Sequence, residues 1–166
     1  MKYLPLILGI TLLLGCVTLP ASAFQAKTLT ITLGDTGDAQ VDFTYQLTWL
    51  EQAAVFARLV DPGQQLKSAI ENNFYATVTV DQVNNDEAVL TVDSFATVQK
   101  TPEGVTYHTP ALSFKNAERV LKEYWFAPLI NPDFSPDTTR VTFPDGYSEV
   151  YTNEISIPAI SHTVST

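Results

Sequence analysis

The chain has 166 residues, 45% of them hydrophobic and 16% charged, which is the composition of a folded domain and not of a disordered tail. Its 9 basic and 18 acidic residues leave a net charge of −9 at pH 7 with no clustered Lys/Arg stripe, which argues against nucleic acid and anionic lipid surfaces as partners. Cys16 is the only cysteine, so disulfides, Cys-based zinc sites and redox pairs are excluded from everything after it.

The first residues read as an export signal. Lys2 precedes an apolar run from Leu4 to Leu19, and Ala21-Ser22-Ala23 is a small-residue cleavage pattern. The expected division is a signal peptide over residues 1–23 and one exported domain over residues 24–166. A second processing route competes. Leu13-Leu14-Gly15-Cys16 resembles a lipobox, which would put a lipid on Cys16 and tether the chain to the membrane. Against it, Leu14 is bulkier than the small residue usual there, and Cys16 also reads as a small hydrophobe within the signal. A stable span needs about 20 apolar residues, more than this run supplies. The expected location is secreted or extracytoplasmic.

Leu29, Ile31 and Leu33 alternate with threonines, the pattern of a half-buried strand. After the turn Gly34 to Asp38, a second strand places Val41, Phe43, Tyr45, Leu47 and Trp49 on one face. The period then becomes helical. One helix is predicted through Leu50, Ala53, Phe56, Ala57 and Val60. A second is capped by Asp61-Pro62 and carries Leu66, Ala69, Ile70 and Phe74. Strands are predicted over 76–83, 88–98 and 105–112, with turns at Asn84 to Glu87 and Thr101 to Gly104. A third helix is predicted from Ser113 or Phe114 to Phe126, with Glu118 and Lys122 as an i,i+4 pair. A loop over 127–139 holds three prolines, and two strands follow, 140–143 and 147–157, around Pro144-Asp145-Gly146. The expected class is α+β: a mainly antiparallel sheet of about six to eight strands with two or three helices packed on it.

Few residues offer chemistry. Asp35, Asp38 and Asp42 supply oxygens to a turn, but calcium needs 6–8 ligands and aspartate is an ordinary turn residue. Asp133 and Asp137 in the proline-rich loop are candidate acid and base for glycoside cleavage, with turn-forming aspartates as the simpler account. His108 and His162 are too few for zinc without further ligands. No G-x-S-x-G, P-loop or G-x-G-x-x-G pattern occurs, and no cofactor is implied. A loop this long is usually functional or mobile, so Asp133, Phe134 and Asp137 are the expected ligand or partner surface. Phe134 would be an aromatic anchor with an acidic rim.

Gly37-Asp38-Ala39-Gln40-Val41-Asp42-Phe43-Thr44-Tyr45 and Phe143-Pro144-Asp145-Gly146-Tyr147, with Ile157-Pro158 beyond, resemble an uncharacterised family of exported archaeal β-rich domains. The resemblance covers Lys27 to about Pro158 and implies fold and export only. Some such domains resemble ectodomains tethered by a membrane segment, and nothing after Pro158 here has that character. The expected function is a non-enzymatic envelope module that binds an envelope protein or a small ligand. The alternative is a secreted hydrolase using the loop carboxylates.

Overall fold

A computed structural model describes residues 25–47, 76–115 and 133–165, together with Lys67, Glu71 and Arg119. Eleven strands account for nearly all of the regular structure described: β1 (Gln25–Leu33), β2 (Ala39–Gln46), β3 (Val78–Val83), β4 (Glu87–Val92), β5 (Thr97–Thr101), β6 (Gly104–His108), β7 (Leu112–Ser113), β8 (Thr138–Thr142), β9 (Ser148–Tyr151), β10 (Ser156–Ile157) and β11 (Ser161–Ser165). They form a six-stranded sheet in the order β3-β4-β2-β1-β8-β9, a three-stranded sheet β11-β6-β5 and a pair β10-β7. Every pairing is antiparallel except β1 with β8, which is parallel.

The pleat explains the first hairpin. Leu29, Ile31 and Leu33 are buried on β1, and Val41 and Tyr45 on β2. Ile31 pairs with Val41, and Leu29 with the half-buried Phe43. Leu47 is half-buried, and Trp49 lies outside the described residues. Thr30, between two buried residues of β1, pairs with Asp42 on the opposite face. A register shift between Ala26 and Thr28 buries Ala26 without breaking this alternation further along.

The α+β expectation is corrected to a sheet-rich fold. Among the described residues no helix packs on the sheets. The predicted helices fall largely outside the described residues. What closes the core is more sheet. Tyr107 from β6, Leu112 from β7, Ile157 from β10 and Ile160 before β11 join Leu29, Ile31, Val41, Leu90, Val141 and Phe143 in one cluster. Val98, Val105 and Val164 of the three-stranded sheet pack against it. The inner face expected to meet helices therefore meets β-strands.

Two predicted strands are each two. The 88–98 run breaks at residues 93–96, where Ser94 has φ 52°, and the 147–157 run breaks at Asn153, with φ 55°. Both are left-handed backbone positions, where a strand cannot continue. β11 is absent from the periodicity reading because Ser161, Thr163 and Ser165 leave only His162 and Val164 to mark its inner side.

Thr139, 1% exposed, has a hydroxyl oxygen without a hydrogen-bond partner. Replacing that hydroxyl with a methyl removes a desolvated polar group at almost constant volume. Thr139→Val is expected to leave stability unchanged or raise it by about 1 kcal/mol. A denaturant melt with a clear loss would contradict this.

Candidate functional site

The predicted loop residues are structural anchors. Asp133 is exposed, and its carbonyl accepts the Ala26 N–H at 3.0 Å. Its carboxylate accepts the Ser135 N–H at 2.8 Å, closing a local turn. Asp137 pairs with Lys27 at 3.3 Å, and the Gln25 side-chain amide reaches its other oxygen at 3.5 Å. Pro136 is buried, and its carbonyl accepts the Asn153 N–H at 3.1 Å. Residues 133–137 thus tie the start of β1 to the end of β9, while residues 127–132 of the predicted loop lie outside the described residues. Phe134 is half-buried. The structure brings Asp133, Phe134 and Asp137 together along the backbone, with both carboxylates already engaged.

The acidic turn after β1 is also a latch. Asp38 accepts the Ser94 N–H at 2.7 Å and the Thr36 hydroxyl at 2.7 Å. The Ser94 bond, then the Thr36 bond, holds its carboxyl below the usual range against a smaller opposing effect of burial. The Asp35 carbonyl accepts the Tyr107 hydroxyl at 3.2 Å, joining the two sheets. Burial foremost, then Asp35 and Asp145, pushes that phenol up. Among the described residues no three His, Cys, Asp or Glu side chains converge as a metal site.

A different cluster carries the most developed side-chain arrangement. The turn Phe143-Pro144-Asp145-Gly146 joins β8 to β9, closed by the Phe143 N–H donating to the Tyr147 carbonyl at 2.8 Å. Gly146 takes φ 86°, which favours glycine there. This turn sets Asp145 against His162 of β11, with His162 Nε2 2.7 Å from Asp145 Oδ2. The other carboxylate oxygen accepts the Tyr147 N–H at 3.0 Å. The Tyr147 ring lies on the imidazole at 4.2 Å between centroids and 13° between planes. Phe143 supports both rings from the core, 4.9 Å from His162 and 5.9 Å from Tyr147.

Tyr147 is nonetheless 46% exposed. With Val150 it makes up the large hydrophobic side chains exposed among the described residues, and both lie on the β8–β9 hairpin. Glu149 stands beside the ring: its carboxylate accepts hydrogen bonds from the Tyr147 hydroxyl at 3.4 Å and from the Tyr151 hydroxyl. Burial, then the Glu149 hydrogen bond, pushes the Tyr151 phenol up to about 12. Tyr147, Glu149 and Tyr151 thus line one side of β9, the last strand of its sheet. Periodicity two puts them there: Tyr-x-Glu-x-Tyr is legible in the sequence. What sequence cannot supply is His162, whose approach depends on β11 pairing with β6 across His162–Tyr107.

His108, by contrast, is exposed and pairs across β5 with Thr97. An open cleft of about 640 Å³ lies at the far end of β2, lined by Tyr45, Leu47, Val83, Asn84 and Asp86 among others. Its Tyr45 hydroxyl donates to the Asn84 carbonyl at 2.7 Å, and burial, then Asp86, pushes that phenol up to about 12. Tyr45 there clamps the β3–β4 turn to the sheet.

Asp145 gives the cluster a pH signature. The His162 hydrogen bond, then the Tyr147 N–H, holds its carboxyl below the usual range. A depressed carboxyl contributes stability that is complete above its ordinary pKa, about 3.9. That stability is lost as pH falls through the lower folded value. Wild type is therefore expected to lose stability more steeply than Asp145→Asn below about pH 4, with the variant the less stable of the two near neutral pH. Parallel melting curves across that range would contradict this.

No protein-family model, curated protein or solved structure matches the chain.

Proposed function

We propose that this chain is an exported, non-enzymatic binding domain of the cell envelope whose contact surface is the β8–β9 edge around Tyr147. The signal-like pattern of residues 1–23 supports an exported location, and the acidic composition supports partners that are neither nucleic acid nor anionic lipid. The observation that carries the reading is Tyr147. A large aromatic ring, 46% exposed, is held in a fixed orientation by His162 and Phe143. Rigid aromatics supply contact area at small entropic cost, and they anchor ligands when one face is left open. Against the hydrolase alternative, Asp133 accepts the Ser135 N–H in a local turn and Asp137 pairs with Lys27.

Two measurements test this. Intact mass of the exported product should correspond to a chain beginning at Phe24. A diacyl-modified product beginning at Cys16 would move the domain onto a membrane tether. For the surface itself, wild type should respond in a thermal-shift screen of small ligands that Tyr147→Ala does not bind. A hydrolytic activity abolished by Asp133→Asn or Asp137→Asn would contradict the binding reading.

A further inference from the structure

We infer that the Tyr147–Glu149–Asp145 edge takes an alkylammonium group, seated on the open face of the Tyr147 ring. The inference rests on the binding surface proposed above and names its ligand class. Three observations point to a cation. The ring is exposed while its other side is covered by His162, so one π-face remains for a ligand. That face is electron-rich and attracts ammonium groups within about 6 Å of the centroid. Next, two carboxylates adjoin the residue: Asp145 accepts the Tyr147 N–H, and Glu149, at the phenol end of the ring, is fixed by hydroxyls from Tyr147 and Tyr151. Their geometry is set before any ligand arrives, which limits the ordering cost of binding. Finally, the whole chain is acidic, with a net charge of −9, so a cation is drawn toward it and an anion repelled. Arg140, the basic residue of the adjacent β8, is directed to Ser148 on the opposite face of the hairpin, paired across from Val150.

A neutral sugar would also stack on an open tyrosine. It gains nothing from the charge, however. The ammonium group belongs either to a free quaternary amine or to a lysine side chain of a partner. Both share the chemistry the edge recognises.

The test is an NMR titration of the full exported chain with choline chloride, N-acetyl-lysine methylamide and N-acetylglucosamine, at constant ionic strength set by sodium chloride. Choline or the lysine derivative should shift the Tyr147 and His162 ring signals saturably. The tighter of the two identifies the source, a free amine or a partner's lysine. Tyr147→Ala should weaken that binding about five- to thirty-fold. Tyr147→Phe, which keeps the ring and its stack, should stay within about two-fold of wild type. Glu149→Gln should weaken it while leaving the ring signals of the free protein in place. Saturable binding of N-acetylglucosamine alone at Tyr147 would overturn the ligand class and leave the surface standing. No response at Tyr147 to any of the three would overturn both, as would ammonium binding unaffected by Tyr147→Ala.

Discussion

Replacing Phe143 with alanine is expected to destabilise the domain by about 3–5 kcal/mol, the usual cost of deleting a fully buried phenyl. Phe143 is 2% exposed and is among the largest fully buried side chains. It touches Tyr107 of the second sheet edge-on at 6.4 Å, as well as His162 and Tyr147. The cavity would therefore open where the two sheets and the candidate site meet, and neighbours drawn from two strands and a turn cannot all collapse into it. The substitution should also release the Tyr147–His162 stack. Guanidinium unfolding monitored by far-UV circular dichroism gives the stability change. A loss under about 1 kcal/mol would show that Phe143 is peripheral.

Gly37→Ala should cost still more relative to its size. Gly37 has φ 89°, a conformation that costs a residue with a Cβ about 1–2 kcal/mol. A Cβ there would also stand 2.4 Å from the Ala96 carbonyl oxygen and 2.7 Å from Val98 Cγ2. The Ala96 N–H donates to the Gly37 carbonyl at 2.8 Å, so relief by backbone movement breaks that bond. The expected loss is about 3 kcal/mol or more, the strain and the lost bond together. Gly146 supplies the control. It has φ 86° but nothing within 4 Å of an added Cβ, so Gly146→Ala should lose only the conformational cost of about 1 kcal/mol. Equal losses at the two glycines would contradict the close approach at Gly37.

The first hairpin was legible in most of its positions because its signal is local. Leu29, Ile31, Leu33, Val41 and Tyr45 are buried, while Phe43 and Leu47 are half-buried and Trp49 lies outside the described residues. Turns were legible for the same reason: Gly34 to Asp38 and Pro144 to Gly146 contain residues whose conformational preferences decide the backbone. The partner of the sheet was not legible. Helical spacing between β2 and β3 suggested a helical layer, whereas Tyr107 and Ile157 reach the core from short strands with little alternation of their own, and Ile160 from the link before β11. The parallel pairing of β1 with β8 joins segments roughly a hundred residues apart, and no local pattern announces it.

The candidate site divides along the same line. The loop aspartates were singled out for their composition and their prolines. The structure gives their oxygens to Ser135, Lys27 and Gln25, contacts that require β1 beside the loop. Tyr147, Glu149 and Tyr151 were within reach of a period-two reading, but such a reading cannot tell an open sheet edge from a buried one. His162 needed the fold: it lies 17 residues from Asp145, on a strand of another sheet.

The meeting of that strand with the β8–β9 turn is the claim on which the binding surface depends, and a nuclear Overhauser spectrum of the exported domain tests it directly. With centroids 4.2 Å apart and nearly coplanar rings, the imidazole protons of His162 should show strong cross-peaks to the Tyr147 ring protons and weaker ones to Phe143. His162 cross-peaks to β6 without any to Tyr147 or Phe143 would leave β11 in its sheet but detach it from the turn, and the proposed surface would have no built platform.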